Sequence, residues 1–156
     1  MGIVWFYGAL LLVAYAAPAL LTLSVYTYGF TTLAHFVTFF ISVILFVMMG
    51  KSLQKRHRPR FGAGLATGAL VAMIGTAVGQ VIRHLPIAQR AFMAQLPGVP
   101  QAAALTMLQL HAVTGAILSG AIFAVLFGLL GAIATWWGGR QRPLMPTPEN
   151  RDHEAS

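Results

Sequence analysis

In the long apolar segments of this chain, three histidines, an arginine and two glutamines are the side chains suited to chemistry. They are His35, His84 and His111, with Gln80 and Arg83 just before His84 and Gln109 just before His111. Two kinds of site follow from these residue types. Two histidines on facing helices could hold haem b, since histidine is a common axial ligand and bundle cores can host cofactors. Alternatively, His35, Gln80, Arg83, His84, Gln109 and His111 could form a site for a polar solute or ligand. Arginine grips carboxylate or phosphate through two parallel hydrogen bonds. Of the other histidines, His57 sits in a basic stretch and His153 in a polar tail, where solvation accounts for them.

Depth separates the candidates. At about 1.5 Å per helical residue, His35 lies roughly 22 Å from Gly50, whereas His84 and His111 lie about 36 Å from Arg60 and Trp136. A hydrocarbon core is about 30 Å thick. His84 and His111 are therefore expected at an interface and His35 inside the bilayer, where an ionisable group is a functional candidate by default. A His35–His111 haem pair would have to bridge a depth difference of about 14 Å. The plainer expectation is that the polar residues anchor helix ends at the headgroups, and that His35 bonds a serine, threonine or tyrosine on a neighbouring helix.

Much chemistry is excluded by composition. Glu149, Asp152 and Glu154 are the three acids of the chain, and there is no cysteine. Paired carboxylates for acid–base work are missing from the apolar segments, and a serine–histidine–acid triad lacks its acid. Thiolate metal sites and disulfides are ruled out. No HExxH, P-loop or dinucleotide fingerprint occurs. The expectation is a protein that is not an enzyme and holds neither metal nor cofactor, haem b being the exception considered above.

The elements that position these residues are membrane spans. Of 156 residues, 58% are hydrophobic and 8% charged, against about 25% charged in soluble domains. Four windows are apolar enough to cross: about 3–25, 31–49, 61–82 and 105–137. The run from residue 1 to residue 50 carries no charge and is too long for one crossing, so a turn is expected at Tyr26–Gly29. Pro18 is expected to kink the first helix. The N-terminus has no positive stretch of the kind that opens a signal peptide, so the first helix is expected to be retained. Between the third and fourth windows, Leu85, Ala88, Phe92 and Leu96 fall on one helical stripe, consistent with a short surface helix. The tail 140–156 is rich in proline and polar residues and is expected to be disordered.

Charge gives orientation. The net charge is +7. Lys51, Lys55, Arg56, Arg58 and Arg60 cluster after the second window and Arg140, Arg142 and Arg151 follow the fourth, while Arg83 and Arg90 lie on the opposite side. Eight against two places both termini in the cytoplasm by the positive-inside rule. The cluster at 51–60 is expected to contact lipid headgroups. It lacks stacking aromatics, so nucleic acid is not expected as a partner.

Two windows carry stripes of small residues. Gly64, Gly68, Ala72, Gly75 and Gly79 fall within an arc of roughly 80°, and Gly120, Ala124, Gly128, Gly131 and Thr135 repeat the spacing. Lipid supplies little hydrophobic drive for helix pairing, so close backbone approach through small residues takes its place. The two stripes are expected to pack antiparallel, or to pair with another subunit or a second copy. The second window, with Phe36, Phe39, Phe40, Ile44 and Phe46, reads as bulky and lipid-facing or gap-filling.

The fold expected is therefore all-α: a polytopic membrane protein of four transmembrane helices, in a bacterial inner (plasma) membrane. The expected function is structural or accessory, within a membrane complex. The alternatives are a small oligomeric transporter or channel for a polar or anionic solute, and a haem b protein.

Overall fold

A computed structural model describes residues 2–57, 59–110 and 114–140, without the side chains of 107–110, 114 and 116. The helices are α1 (Gly2–Leu20), α2 (Val25–Tyr28), α3 (Thr31–Gln54), α4 (Phe61–Arg83), α5 (Pro86–Ala94), α6 (Gln101–Leu110) and α7 (Thr114–Gly138), with a 3₁₀ turn at Leu21–Leu23. No strand occurs among the described residues. Four segments are long and apolar enough to span a membrane: Gly2–Leu23, Thr31–Gln54, Phe61–Arg83 and Ile117–Gly138, of 22 to 24 residues each. At about 1.5 Å per residue each matches a hydrocarbon core of about 30 Å. Their outward faces carry exposed Phe6, Phe36, Phe40, Ile44, Ile122 and Val125, an apolar surface suited to a lipid environment. The chain is an all-α, multi-pass membrane protein.

The four spans form a ring in which α1 packs on α3 and α4, and α7 packs on the same two. Contacts fix the directions. Tyr7 meets Ser52 at 3.3 Å, so α1 and α3 are antiparallel. Gly8 meets Thr67 and Gly75 meets Tyr15, so α1 and α4 run parallel. Gly64 meets Gly131 and Thr135, and Gly68 meets Phe127 and Gly128, so α4 and α7 are antiparallel. One end of the bundle therefore gathers Lys51, Lys55, Arg56, Arg60 and Arg140, and is termed the basic end. Gly29 and His84 mark the far end.

Glycine holds the basic end closed. A methyl group at Gly50 would overlap the Thr135 backbone, at Gly64 the Gly131 backbone, at Gly68 the Phe127 carbonyl, and at Gly138 the Val47 backbone. Thr135 ties this region together. Its hydroxyl donates within α7 to Gly131 at 2.6 Å and across to the Arg60 carbonyl at 3.2 Å.

Several expected boundaries move. The first helix stops at Leu20 rather than Val25, and the connection to α3 starts at the extended Ser24 and runs through α2 to a turn at Gly29–Phe30, so that it includes the expected Tyr26–Gly29. Pro18 cannot donate to the preceding turn. The break that follows is stabilised by Thr22 and Thr27, whose hydroxyls donate to the Ala19 and Leu21 carbonyls at 2.6 and 2.8 Å. The second span continues through Lys51 and ends at Gln54, followed by a turn that includes His57, whose φ is +50°. Of the fourth window, α6 and α7 are described, and 111–113 lie outside the described residues. The short helix α5 is present, with Pro86 in its first turn, and buries Ala88 and Ala91 while Leu85 stays exposed. The tail beyond Arg140 lies outside the described residues, as does its expected disorder.

Arg60 packs differently from the other basic residues of the cluster. Its side chain folds over Gly139, and Nη1 is buried without a hydrogen-bond partner among the described residues. Lys51, Lys55 and Arg56 are exposed, and Arg58 lies outside the described residues.

Overpacking at the glycine contacts is expected to cost about 1–3 kcal/mol for Gly68→Ala. Gly62→Ala, where nothing lies within 4 Å, is expected to be neutral or stabilising by up to about 1 kcal/mol from helix propensity. Denaturant unfolding of both variants in mixed micelles checks the contrast. Equal stability would mean that the α4–α7 contact is not close in solution.

Candidate functional site

The far half of the bundle holds a cavity of about 640 Å³, lined by α1, α2, α3, α4 and α7. Helix α3 contributes Thr31, His35, Thr38 and Ser42. At 100° per residue their spacing of 4, 3 and 4 keeps them on one face, within an arc of roughly 60°. Helix α4 contributes Thr76, Gln80 and Arg83 in the same register. Tyr15 enters from α1, Thr22 from the 3₁₀ turn, Tyr28 from α2, and Ser119 with Phe123 and Phe127 from α7.

The cavity has an aromatic floor. Tyr15 packs edge-on against Phe127 with ring centroids 5.2 Å apart, and Phe127 meets Phe46 in the same way at 5.5 Å. Below this trio lie the glycine contacts of the basic end. Gly75 is where Tyr15 fits: a methyl group there would overlap its ring. At Gly79 nothing lies within 4 Å, and at Gly120 the nearest atom is the Thr76 methyl at 3.7 Å. The small-residue stripe of α4 therefore does two things. Gly64, Gly68 and the buried Ala72 lie on its tightly packed part, and Gly75 admits a ring from α1. Gly79 lines open space. On α7, Gly128 and Gly131 lie against α4, Gly120 faces Thr76, and Ala124 is half-buried.

The polar groups are mostly satisfied within their own helices. His35 Nδ1–H donates to the Thr31 carbonyl at 2.6 Å, Thr38 donates to Ala34 at 2.9 Å, and Ser42 donates to Thr38 at 2.7 Å. The expected bond from His35 to a neighbouring helix is replaced by this local one. A carbonyl only accepts, so Nδ1 carries the proton and Nε2 of a neutral ring remains as an acceptor. Back-bonded hydroxyls likewise keep acceptor lone pairs. The interior thus offers acceptors, while Arg83 and the Gln80 amide supply donors toward the far end.

Arg83 occupies the mouth. It lines the main cavity and a second space of about 210 Å³ formed with Thr22, Tyr28, Ala88 and Phe92. Helix α5 roofs this second space through Phe92, whose ring lies 6.3 Å from that of Tyr28, and through Gln95, which donates to the Val25 carbonyl at 3.3 Å. Arg83 is also in the last turn of α4, where the negative end of the helix dipole favours a cation. The described residues contain no carboxylate side chain, because all three acids lie beyond residue 148.

The structure brings His35, Gln80 and Arg83 together at one cavity. His84 stands apart: it is exposed, and its Nδ1–H donates to the Gln80 carbonyl at 2.8 Å. The Gln109 side chain and all of His111 lie outside the described residues, and with them the partner expected for haem ligation. No group of three possible metal ligands occurs among the described residues. Sequence reasoning missed Thr31, Thr38 and Ser42, which turn His35 from an isolated group into part of a stripe. The signal was available in the spacing Thr-x₃-His-x₂-Thr-x₃-Ser, and was masked by the phenylalanines on the opposite face.

Tyr15→Ala is expected to destabilise the protein by about 3 kcal/mol, because it removes the ring that separates the cavity from the glycine contacts. Tyr15→Phe is expected to fall within about 0.5 kcal/mol of the parent, since the contacts are made by the ring. Unfolding in mixed micelles measures both, and a large loss for Tyr15→Phe would assign the role to the hydroxyl instead. No family model, no curated protein and no solved structure matches this chain.

Proposed function

We propose that this protein takes a polar or anionic solute into the far-end cavity, as a small transporter-type membrane protein, with the basic end and both termini in the cytoplasm. The observation that carries the proposal is Arg83 at the mouth of a hydroxyl-lined cavity, with no carboxylate among the described residues to neutralise it. Arg83 is exposed at the last turn of α4, and an anionic guest at the mouth would supply a charge-assisted partner for it.

Orientation rests on the charge bias across the two ends, which also fits a bacterial inner (plasma) membrane. In the present conformation the floor of Tyr15, Phe127 and Phe46 closes the cavity toward the basic end. Passage through the protein requires the glycine contacts beneath it to part, which matches alternating exposure better than an open pore. The accessory-subunit reading drew on the small-residue faces. Gly50, Gly64, Gly68, Gly131 and Gly138 find close neighbours within this chain, so those faces are not what a partner would need. No bond-breaking step is proposed.

The chain has no cysteine, so one introduced thiol is a unique probe. Thr38→Cys, normalised to the rates of a free thiol, is expected to react several-fold faster with an anionic than with a cationic methanethiosulfonate. Arg83→Gln should abolish the preference. No modification at all, or a preference for the cation, would overturn the proposal. Modification in sealed cells by the membrane-impermeant reagent would also support the orientation.

A further inference from the structure

We infer that the guest is an anionic amphiphile that enters sideways from the bilayer, with its charged head at Arg83 and its chain lying between α3 and α7. This rests on the proposal that the Arg83 mouth receives an anion, and adds where that anion comes from.

Three observations point to the bilayer. First, the cavity wall is two-faced. Hydroxyls and Gln80 line the α3 and α4 faces, but Phe39 of α3 and Phe123 and Leu126 of α7 also line it, and these are 46%, 48% and 58% exposed. Side chains that face both the cavity and the outside of a membrane protein stand at an opening to lipid. Second, α3 and α7 are joined on the basic-end side of this opening. Val47 against Gly138, Gly50 against Thr135 and Phe46 against Gly131 and Phe127 all lie below Ser42. Above them the cavity separates the two helices. Third, the dimensions fit one leaflet. From Arg83 down to Gly75 is about eight residues, or roughly 12 Å, close to the ~15 Å that half a hydrocarbon core occupies. A volume of about 640 Å³ lies within the roughly 300–1,000 Å³ typical of small-ligand sites, enough for a headgroup and part of a chain. A head at Arg83 and a tail toward Phe127 would also keep the orientation that a lipid of that leaflet already has, so entry needs no inversion.

A soluble anion could use the same guanidinium but would leave the apolar wall against water. The probe that separates the two is the full-length protein in nanodiscs of equimolar phosphatidylcholine and phosphatidylglycerol, released and weighed by native mass spectrometry. The expected result is retained phosphatidylglycerol in preference to phosphatidylcholine. Retention should fall by about tenfold in Arg83→Gln, as loss of a charge-assisted contact implies, and persist in Lys55→Gln/Arg56→Gln. Retention that survives Arg83→Gln but is lost in the Lys55/Arg56 variant would place the lipid at the basic end and overturn the inference. Equal retention of phosphatidylcholine would overturn it as well, since the charge would then be irrelevant. Displacement of the lipid by millimolar inorganic phosphate would assign the site to a soluble anion and leave the proposed function standing. Absence of retained lipid, together with an anion preference at Thr38→Cys, would overturn the lipid inference alone. Absence of both would overturn the inference and the proposed function together.

Discussion

The rest of this molecule depends on backbone meeting backbone between α4 and α7 at the basic end. At Gly64, Gly68 and Gly131 there is no room for even a methyl group, and α3 joins the same contact through Gly50, Val47 and Phe46. In lipid, where apolar side chains gain little by leaving one apolar surface for another, such contacts bring dispersion and little loss of side-chain freedom. They also impose a geometry. Helices this close at one end cannot stay as close once larger side chains intervene. A methyl group added at Gly120 would meet the Thr76 methyl at an ordinary 3.7 Å, and at Gly75 a tyrosine ring comes between. The cavity is the space left by that change in spacing.

The cavity can be polar because its hydroxyls are not left unsatisfied. A polar group in hydrocarbon without a hydrogen bond costs several kcal/mol. Thr31, Thr38 and Ser42 meet that need by donating to carbonyls one turn back, and the His35 ring does the same. Each remains an acceptor toward the cavity. Arg83 differs: it is exposed at the mouth, its guanidinium has five donors, and the described residues offer no carboxylate. Its place at the last turn of α4, at the mouth beneath α5, lets the helix dipole and the polar interface favour its charge. Function is proposed at the point where local satisfaction runs out.

Another arginine, Arg60, marks the opposite end. Its carbonyl accepts from Thr135, while its side chain lies on Gly139 with Nη1 buried and unpaired among the described residues. The neighbouring Arg140 stacks on Trp136, 3.7 Å from the ring centroid, a cation–π contact typical of partly desolvated arginine. The basic cluster thus divides. Lys51, Lys55 and Arg56 remain exposed and available to headgroups, whereas Arg60 belongs to the packing of the α3, α4 and α7 ends.

The sequence by itself determined the class: four spans, their approximate limits and the concentration of basic charge at one end. These depend on local composition, because a bilayer selects apolar length without regard to what packs on what. It also determined that α4 and α7 carry small-residue faces, since periodicity is a property of one helix. Only the tertiary structure decided how those faces are used, with Gly64 and Gly68 against α7, Gly75 against Tyr15 and Gly79 against open space. Only it decided that His35, Gln80 and Arg83 share a cavity while His84 does not. The end of the first helix was placed late for a related reason: the hydroxyls of Thr22 and Thr27 favour the carbonyls that the interrupted helix leaves free, a competition that residue counting does not register. Which helices become neighbours is set by interhelical contacts distant in sequence, and a single chain read without its fold contains their residue types but not their pairing.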